Sequence, residues 1–293
     1  MNKARQTGFT TIELVTVLAI IAMLVAILLP AVTAVRSMAV QARQQAQFTA
    51  IGAALTAFRN DYGDYPPSFS GRITGTGWVP SDDFYCGAQK LCEALLGWDL
   101  MGFHPDSDFR ANGRKLPPAS TFIYDATDPD QMAKRKDRYL ELQSTTAFQL
   151  GPAGGRQGLY NVTGDLAPNT FVLCDVFGIK RITMPNGAAV KTGSPILYYR
   201  ANRSGQTIQE RYRASDNWPL LVLGRITDGA AHPLYSTTPT DVFYEQITDW
   251  KLPTVNRADP TTRYPHRPDS YILISAGPDG LYGTGDDITN FDN

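Results

Sequence analysis

Carboxylates and glycines are concentrated in residues 275–288, near the end of the 293-residue chain. Asp279, Asp286 and Asp287 place three acidic side chains in a stretch that also contains several glycines. Calcium takes about six to eight oxygen ligands, and glycines let a loop turn its oxygens inward without steric cost. The Asp-x-Asp-x-Asp-Gly series of an EF-hand is absent. The stretch therefore predicts a structural Ca²⁺ loop, with a solvated, flexible tail as the alternative.

A second candidate for chemistry is the single carboxylate of Glu13, at the start of the most apolar stretch of the chain. In residues 14–32 only Thr16 and Pro30 are not apolar. About 19 such residues are enough to cross the hydrocarbon core of a bilayer as a helix. Insertion of a carboxylate into the membrane with this helix costs roughly 2.5 to 3.5 kcal/mol. Such a residue normally has a function and pairs with a cation.

The cation for Glu13 must come from outside this stretch, because no Lys or Arg lies between Arg5 and Arg36. The simplest source is the α-amino group that cleavage between Gly8 and Phe9 would create, since such an amine is mostly charged at neutral pH. It would lie about one helical turn from Glu13 in its own chain. The amine of a second copy could pair with the carboxylate as well, and this pairing favours assembly in a staggered register.

Residues 8–13, Gly-Phe-Thr-Thr-Ile-Glu followed by the apolar run, resemble the processing site of type IV pilins and type II secretion pseudopilins. In that family a prepilin peptidase cuts after the glycine and methylates the new N-terminal Phe, and the Glu guides docking into a helical fibre. The resemblance implies processing and methylation at Gly8 and Phe9, and assembly through Phe9 and Glu13. Residues 1–8 would be a basic leader on the cytoplasmic side.

The resemblance also implies a location and partners. The chain would pass once through the inner membrane with its head in the periplasm, and its fibre would lie in the periplasm or at the cell surface. Expected partners are further copies of the chain, other pseudopilins or pilins, the prepilin peptidase, the inner-membrane assembly platform and membrane lipid. A nucleic acid is not expected, because the formal net charge is -1 and a nucleic-acid surface needs clustered Lys and Arg.

Two other interpretations of the N-terminal stretch stay open. A secretory signal peptide would be cut after Ala34, and an uncleaved anchor would stay whole. The signal-peptide interpretation leaves Glu13 unexplained, and the apolar core is long for a signal peptide. Identification of the mature N-terminus, as Phe9 or as Val35, separates these interpretations.

The helical pattern continues beyond the apolar run. Apolar side chains recur at steps of three and four on one helical face, at Phe48, Ile51, Leu55, Phe58 and Tyr62. Gly63 follows the last of them and is typical of a helix end. We therefore predict one long helix over residues 9–62, with a transmembrane segment at about 14–32 and an amphipathic second half.

The remaining residues, 63–293, predict a globular head. Strand-like runs rich in Val, Ile, Tyr and Phe occur at 170–177, 181–184, 196–200, 220–223 and 271–275, and a short helix is expected at 87–96. Mostly short connections favour an antiparallel sheet with the long helix laid against it, which is an α+β, pilin-like fold. Segments 97–170 and 201–265 have no recognised counterpart in the family.

Enzyme chemistry is not expected from this sequence. It has no nucleophile elbow, phosphate loop or dinucleotide fingerprint, and its three histidines lack the spacing of metal ligands. Cys86, Cys92 and Cys174 show no Cys-x-x-Cys pair, so zinc is not expected. In an oxidising periplasm Cys86 and Cys92 could form a short-loop disulfide, and two buried free thiols are an equal alternative.

The tail refines the resemblance. Residues 275–288 resemble the C-terminal calcium loop of G-type major pseudopilins, with Asp279, Asp286 and Asp287 at its acidic positions. The sequence thus favours a structural subunit of a type II secretion pseudopilus, whose work is mechanical. One alternative is a type IV or minor pilin that serves adhesion or DNA uptake. An alternative of another class is a monomeric, membrane-anchored periplasmic binding protein or enzyme.

Overall fold

The computed structural model describes residues 10–69, 72–74, 77–79, 84–141, 147–184, 186–235, 241–252 and 262–291. Gly8 and Phe9, the predicted processing and methylation residues, lie outside these ranges together with the rest of the predicted leader. The chain divides into two compact units, Met1–Arg43 and Gln44–Asn293.

The first unit contains the apolar part of helix α1, which spans Thr11–Tyr62 in one piece and includes Pro30. Residues 10–39 are all exposed, and the most apolar window of the helix has a mean hydropathy of 2.9. By length and composition this helix could cross a membrane, and a signal sequence near the N-terminus would meet the same criteria. The predicted long helix is confirmed.

The second unit contains the rest of α1, which buries one face in the head. The buried side chains are Gln44, Phe48, Ile51, Ala54, Leu55 and Phe58, as the spacing of the apolar residues predicts. They pack with side chains of helix α2, Gly87–Leu96, for example Leu91 and Leu95. The helix ends beside Gly63, whose φ of 82° is the left-handed conformation common after a helix.

The described residues contain nine strands in four small antiparallel sheets. The strands are β1 Arg72–Thr74, β2 Gly77–Val79, β3 Ala147–Gln149, β4 Phe171–Leu173, β5 Lys180–Thr183, β6 Ala189–Thr192, β7 Leu197–Arg200, β8 Tyr271–Ser275 and β9 Ile288–Thr289. The pairs β1–β2, β3–β4 and β5–β6 each form a two-stranded sheet, and the remaining strands form a three-stranded sheet in the order β7–β8–β9. The α+β class is confirmed, although the chain forms several small sheets where one sheet was expected.

The predicted strand at 220–223 is wrong, because Leu220 and Leu221 end helix α5, Trp218–Leu221, and residues 222–223 form the turn after it. Helix α5 follows directly on a 3-10 turn. Pro219 lies in the first turn of α5, where its missing N–H costs no hydrogen bond. Three further short helices were not predicted: α3 Pro129–Lys134, α4 Ile208–Arg211 and α6 Asp241–Ile247. The helix predicted at 87–96 is α2 and is confirmed.

Side chains on the two faces of β7 and β8 enter two different apolar clusters. The helix-side cluster contains Tyr198 of β7 and Tyr271 and Leu273 of β8, together with the buried face of α1 and with α2. The insertion-side cluster contains Leu197, Tyr199, Ile272 and Ile274, together with Ile208, Tyr212, Leu220, Phe243 and Ile247 of segment 201–265. The sheet is therefore covered on both faces, and segment 201–265 supplies much of the second cover.

Candidate C-terminal cation loop and start of the long helix

The predicted calcium loop connects two neighbouring strands. Ser275 at the end of β8 pairs with Ile288 at the start of β9, so both ends of the loop are fixed side by side. Gly277 has a φ of 64°, and a Cβ at this position would lie 2.2 Å from the carbonyl oxygen of Asp286. Only glycine fits this close approach, which folds the loop back on itself.

The three predicted ligands hold the loop together from within. Asp279 Oδ1 accepts a hydrogen bond from the backbone N–H of Leu281 at 2.7 Å. Asp286 Oδ2 accepts one from the N–H of Asp279 at 3.1 Å, and Asp287 Oδ2 accepts one from the N–H of Gly283 at 2.7 Å. These contacts make residues 276–287 a folded loop with an acidic interior rather than an open tail.

The loop is also held by segment 201–265. Tyr282, at the middle of the loop, is buried, and its hydroxyl donates to the carbonyl of Pro195. Its backbone N–H donates to His232 Nδ1 at 3.3 Å, and its carbonyl accepts from the N–H of Leu234 at 2.9 Å. Arg225 Nη1 donates to the Asp279 carbonyl at 3.1 Å. Segment 201–265 therefore contacts the loop at Tyr282 and at Asp279.

Asp287 is a partly buried aspartate that contacts helix α6. Burial raises the pKa of Asp287 to about 7, the hydrogen bonds from Gly283 and Gln246 oppose this shift, and the negative charges of Asp286 and Asp279 add to it. Gln246 Nε2 donates to Asp287 Oδ2 at 2.7 Å. Asp287 Oδ1 and Gln246 Oε1 are buried and have no hydrogen-bond partner. Gln246 belongs to no motif in the sequence, so sequence reasoning missed it.

The donor set fits a hard cation. Its members are carboxylate and amide oxygens, and a carboxylate oxygen that accepts one N–H retains a lone pair for an ion. In the part of the chain that the structure describes, no group of three or more His, Cys, Asp or Glu side chains converges on one point. A bound Ca²⁺ would therefore also need amide or carbonyl oxygens, and the calcium site stays a prediction.

Glu13 has a local partner at the start of α1. Its carboxylate oxygen Oε2 accepts hydrogen bonds from Thr10 N at 2.9 Å and from Thr10 Oγ1 at 2.7 Å. The N–H of Glu13 in turn points to Thr10 Oγ1 at 3.3 Å. This reciprocal pattern is a capping box, and the Thr-x-x-Glu spacing ahead of an apolar run was its sequence signal. Phe9, whose amine was the predicted partner of Glu13, lies outside the described residues.

The three cysteines are buried and free. Cys86 is the N-cap residue of α2 and Cys92 lies within that helix, so six residues at 1.5 Å each separate them by about 9 Å along the axis. A disulfide needs α-carbons within about 7 Å, and the short-loop bridge is accordingly not formed. Burial raises the pKa of the Cys86 thiol to about 11, which keeps it protonated and unreactive at neutral pH.

Comparisons of the chain with protein-family models, with curated proteins and with solved structures give no match.

Proposed function

We propose that the chain is a structural subunit of a pilin-like fibre, of the type II secretion pseudopilus class and most like its G-type major subunit. A prepilin peptidase would cut after Gly8 and methylate Phe9. The apolar part of α1 would then anchor the chain in the inner membrane with the head in the periplasm, until copies assemble through Phe9 and Glu13. The head would have a mechanical role and no catalytic one.

The observation that carries this proposal is the exposed apolar surface of α1. Large side chains such as Met23, at 69% exposure, and Leu29, at 63%, have no cover among the described residues. Apolar surface of this extent marks a membrane or protein contact. A fibre subunit would use it in lipid before assembly and against other copies afterwards, whereas a monomeric anchored protein would use it only in lipid.

Glu13 is the residue that separates these two cases, because its carboxylate could have either of two roles. In a capping box it accepts hydrogen bonds from Thr10 at the start of the helix and needs no second chain. In a fibre it pairs with the amine of Phe9 on a neighbouring copy, which requires a negative charge. A substitution that keeps the cap and removes the charge distinguishes the roles.

The test compares Glu13→Gln, Glu13→Ala and Thr10→Ala in the native host. Gln fills the capping position as Glu does but carries no charge, whereas Thr10→Ala removes the capping hydroxyl and leaves the Glu13 charge. We expect both Glu13 variants to insert and to be processed, yet to yield no sheared or cross-linked fibres. Thr10→Ala should still assemble.

The opposite pattern would contradict the proposal. If Glu13→Gln assembles as the wild type does, or if cross-linking finds only monomers in the wild type, the monomeric binding protein or enzyme is favoured. Mass spectrometry of the mature chain provides the second arm, since a type IV pilin and a pseudopilin both begin at a methylated Phe9. A chain that begins at Val35 or at Met1 excludes both.

Binding of calcium by the head would favour the secretion class over a type IV or minor pilin. We propose that Ca²⁺ binds the loop between β8 and β9 and acts structurally, which stabilises the folded head by mass action, by about 2.7 kcal/mol at 100 times the dissociation constant. Asp279→Asn keeps an oxygen for the N–H of Leu281 but loses the charge. The wild type should melt at a higher temperature in Ca²⁺ than in chelator, and Asp279→Asn should lose most of this difference.

Asp137→Asn is the matched control for that experiment, because Asp137 is exposed and distant in sequence from the loop. It should respond to Ca²⁺ as the wild type does. If chelator does not change the melting temperature of the wild type, the secretion class loses its support and the pilin alternative remains.

A further inference from the structure

We propose that Gln246 of the inserted segment 201–265 is a Ca²⁺ ligand of the C-terminal loop, and that helix α6 therefore supplies one wall of the site. The inference rests on the proposed calcium loop and extends it beyond the three aspartates. It also assigns a role to a segment that has no counterpart in the family that the sequence resembles.

The first argument is the contact between α6 and the loop. Gln246 Nε2 lies 2.7 Å from Asp287 Oδ2, although the two residues are 41 positions apart in the chain. Through this contact a side chain of α6 reaches a predicted ligand directly. The same carboxylate oxygen accepts the N–H of Gly283, so Gln246 joins a contact that already organises the loop.

The second argument is the pair of unsatisfied oxygens. Asp287 Oδ1 and Gln246 Oε1 are both buried, and neither has a hydrogen-bond partner. A buried acceptor without a partner destabilises the fold, so two of them on side chains that are hydrogen-bonded to each other need an explanation. A hard cation accounts for both, because carboxylate and Gln amide oxygens are ordinary calcium ligands.

The third argument is the rigidity of α6. Phe243 and Tyr244 are buried in the insertion-side cluster, as is Ile247 next to Gln246. The Tyr244 hydroxyl donates to the carbonyl of Tyr212 at 3.0 Å, which fastens the helix to the same segment. A ligand on an element that is fixed in this way is held in place before the ion arrives, which lowers the entropic cost of binding.

The alternative role for Gln246 is purely structural, as a donor that fixes Asp287. In that case loss of the amide would lower stability in the same way with and without Ca²⁺. A ligand role predicts instead that the change appears in calcium affinity. The experiment therefore measures affinity and stability separately.

The test uses the full chain in detergent micelles, titrated with CaCl₂ by calorimetry and melted in Ca²⁺ and in chelator. Gln246→Met keeps the side-chain length and removes the oxygen, and should weaken calcium binding by about tenfold or more. Gln246→Glu restores an oxygen with a charge, and should bind at least as tightly as the wild type. Gln209→Met is the control, because Gln209 is exposed on α4.

If Gln246→Met binds calcium as tightly as the wild type while Asp279→Asn binds it more weakly, this inference alone is overturned and the proposed calcium loop stands. Absence of calcium binding by the wild type would overturn both. Should Gln246→Met fail to melt cooperatively, Gln246→Glu decides, since binding tenfold weaker than that of the wild type would exclude an oxygen ligand at this position.

Discussion

Asp175 is a buried carboxylate at the base of the C-terminal loop. It lies just beyond β4, and its Oδ2 accepts a hydrogen bond from Ser275 Oγ at 2.9 Å, where β8 ends and the C-terminal loop begins. Its Oδ1 accepts the N–H of Ser194 at 3.2 Å. Burial raises the pKa of Asp175 to about 7, these hydrogen bonds oppose the shift, and the charge of Asp287 adds to it. The residue therefore joins the base of the loop to β4.

The raised pKa of Asp175 predicts how the stability of the head depends on pH. A carboxyl whose pKa is higher in the folded than in the unfolded state favours folding while it is protonated, so this contribution is complete below about pH 4 and is lost as pH rises through about 7. Asp175→Asn keeps an acceptor for the N–H of Ser194 and cannot ionise. We expect the fall in melting temperature from pH 5 to pH 8, measured in chelator, to be smaller in Asp175→Asn.

The matched control for this titration is Asp137→Asn, an exposed site that should reproduce the wild-type slope. An Asp175→Asn slope equal to that of the wild type would mean that Asp175 ionises normally in the folded head. Other buried carboxyls, such as Asp216, whose pKa burial raises to about 6, remain in both proteins and cancel in the comparison.

At the scale of single residues, the sequence identified partners within one short stretch better than partners across the fold. The three aspartates of the loop were found because they stand close together among glycines. Gln246 was not found, because the 41 residues between it and Asp287 leave no local pattern. The capping of Glu13 by Thr10 also has a local signal, the Thr-x-x-Glu spacing, although the sequence analysis predicted only a partner cation for Glu13.

Among the elements, the second half of α1 is the one on which the head depends most directly. Its buried face packs against α2 and the strands β7 and β8. Polar side chains of the same half form hydrogen bonds with the head. Gln44 Oε1 accepts the N–H of Val176 at 3.1 Å, and Gln47 Nε2 donates to the carbonyl of Cys174 at 2.9 Å. Gly52 lies beneath Tyr271, where a Cβ would come within 2.9 Å of the ring hydroxyl.

Leu55 is the test of this packing, because its side chain is fully buried in the helix-side cluster. Leu55→Ala should lower the free energy of unfolding by about 2 to 5 kcal/mol, through lost burial and the cavity that remains. Thr56→Ala, next along the helix and exposed, should change it by less than about 0.5 kcal/mol. Chemical denaturation in detergent measures both, and equal effects would contradict the assigned helix face.

Element length explains which elements the sequence predicted. The helices α1 and α2 show several turns of apolar spacing, and both were found. Helices α3, α4, α5 and α6 have four to seven residues, which is too short for the period to appear, so they were missed or, in α5, taken for a strand. Strands β5, β7 and β8 were located within one residue, but their division into separate sheets depends on contacts distant in sequence.

For the molecule as a whole, the two covers of the β7–β8–β9 sheet have different origins. The helix-side cover comes from α1 and α2, which the sequence predicts. The insertion-side cover comes largely from segment 201–265, with additions such as Phe148 and Leu159 from 97–170. A buried second face requires such a cover, because an uncovered row of Leu and Ile would face water. Segment 201–265 thus covers one face of the sheet in addition to carrying the proposed ligand.

The division of the chain into two units predicts which truncations fold. A chain that begins at Gln44 keeps Phe48, Ile51, Leu55 and Phe58 and, among the described residues, loses no buried side chain with the first unit. It should be a soluble monomer in size-exclusion chromatography and melt cooperatively, within a few degrees of the full chain in detergent. A chain that begins at Gly63 lacks one side of the helix-side cluster and should show no cooperative melting. Cooperative melting of the shorter chain at the same temperature would show that α1 is not part of the core.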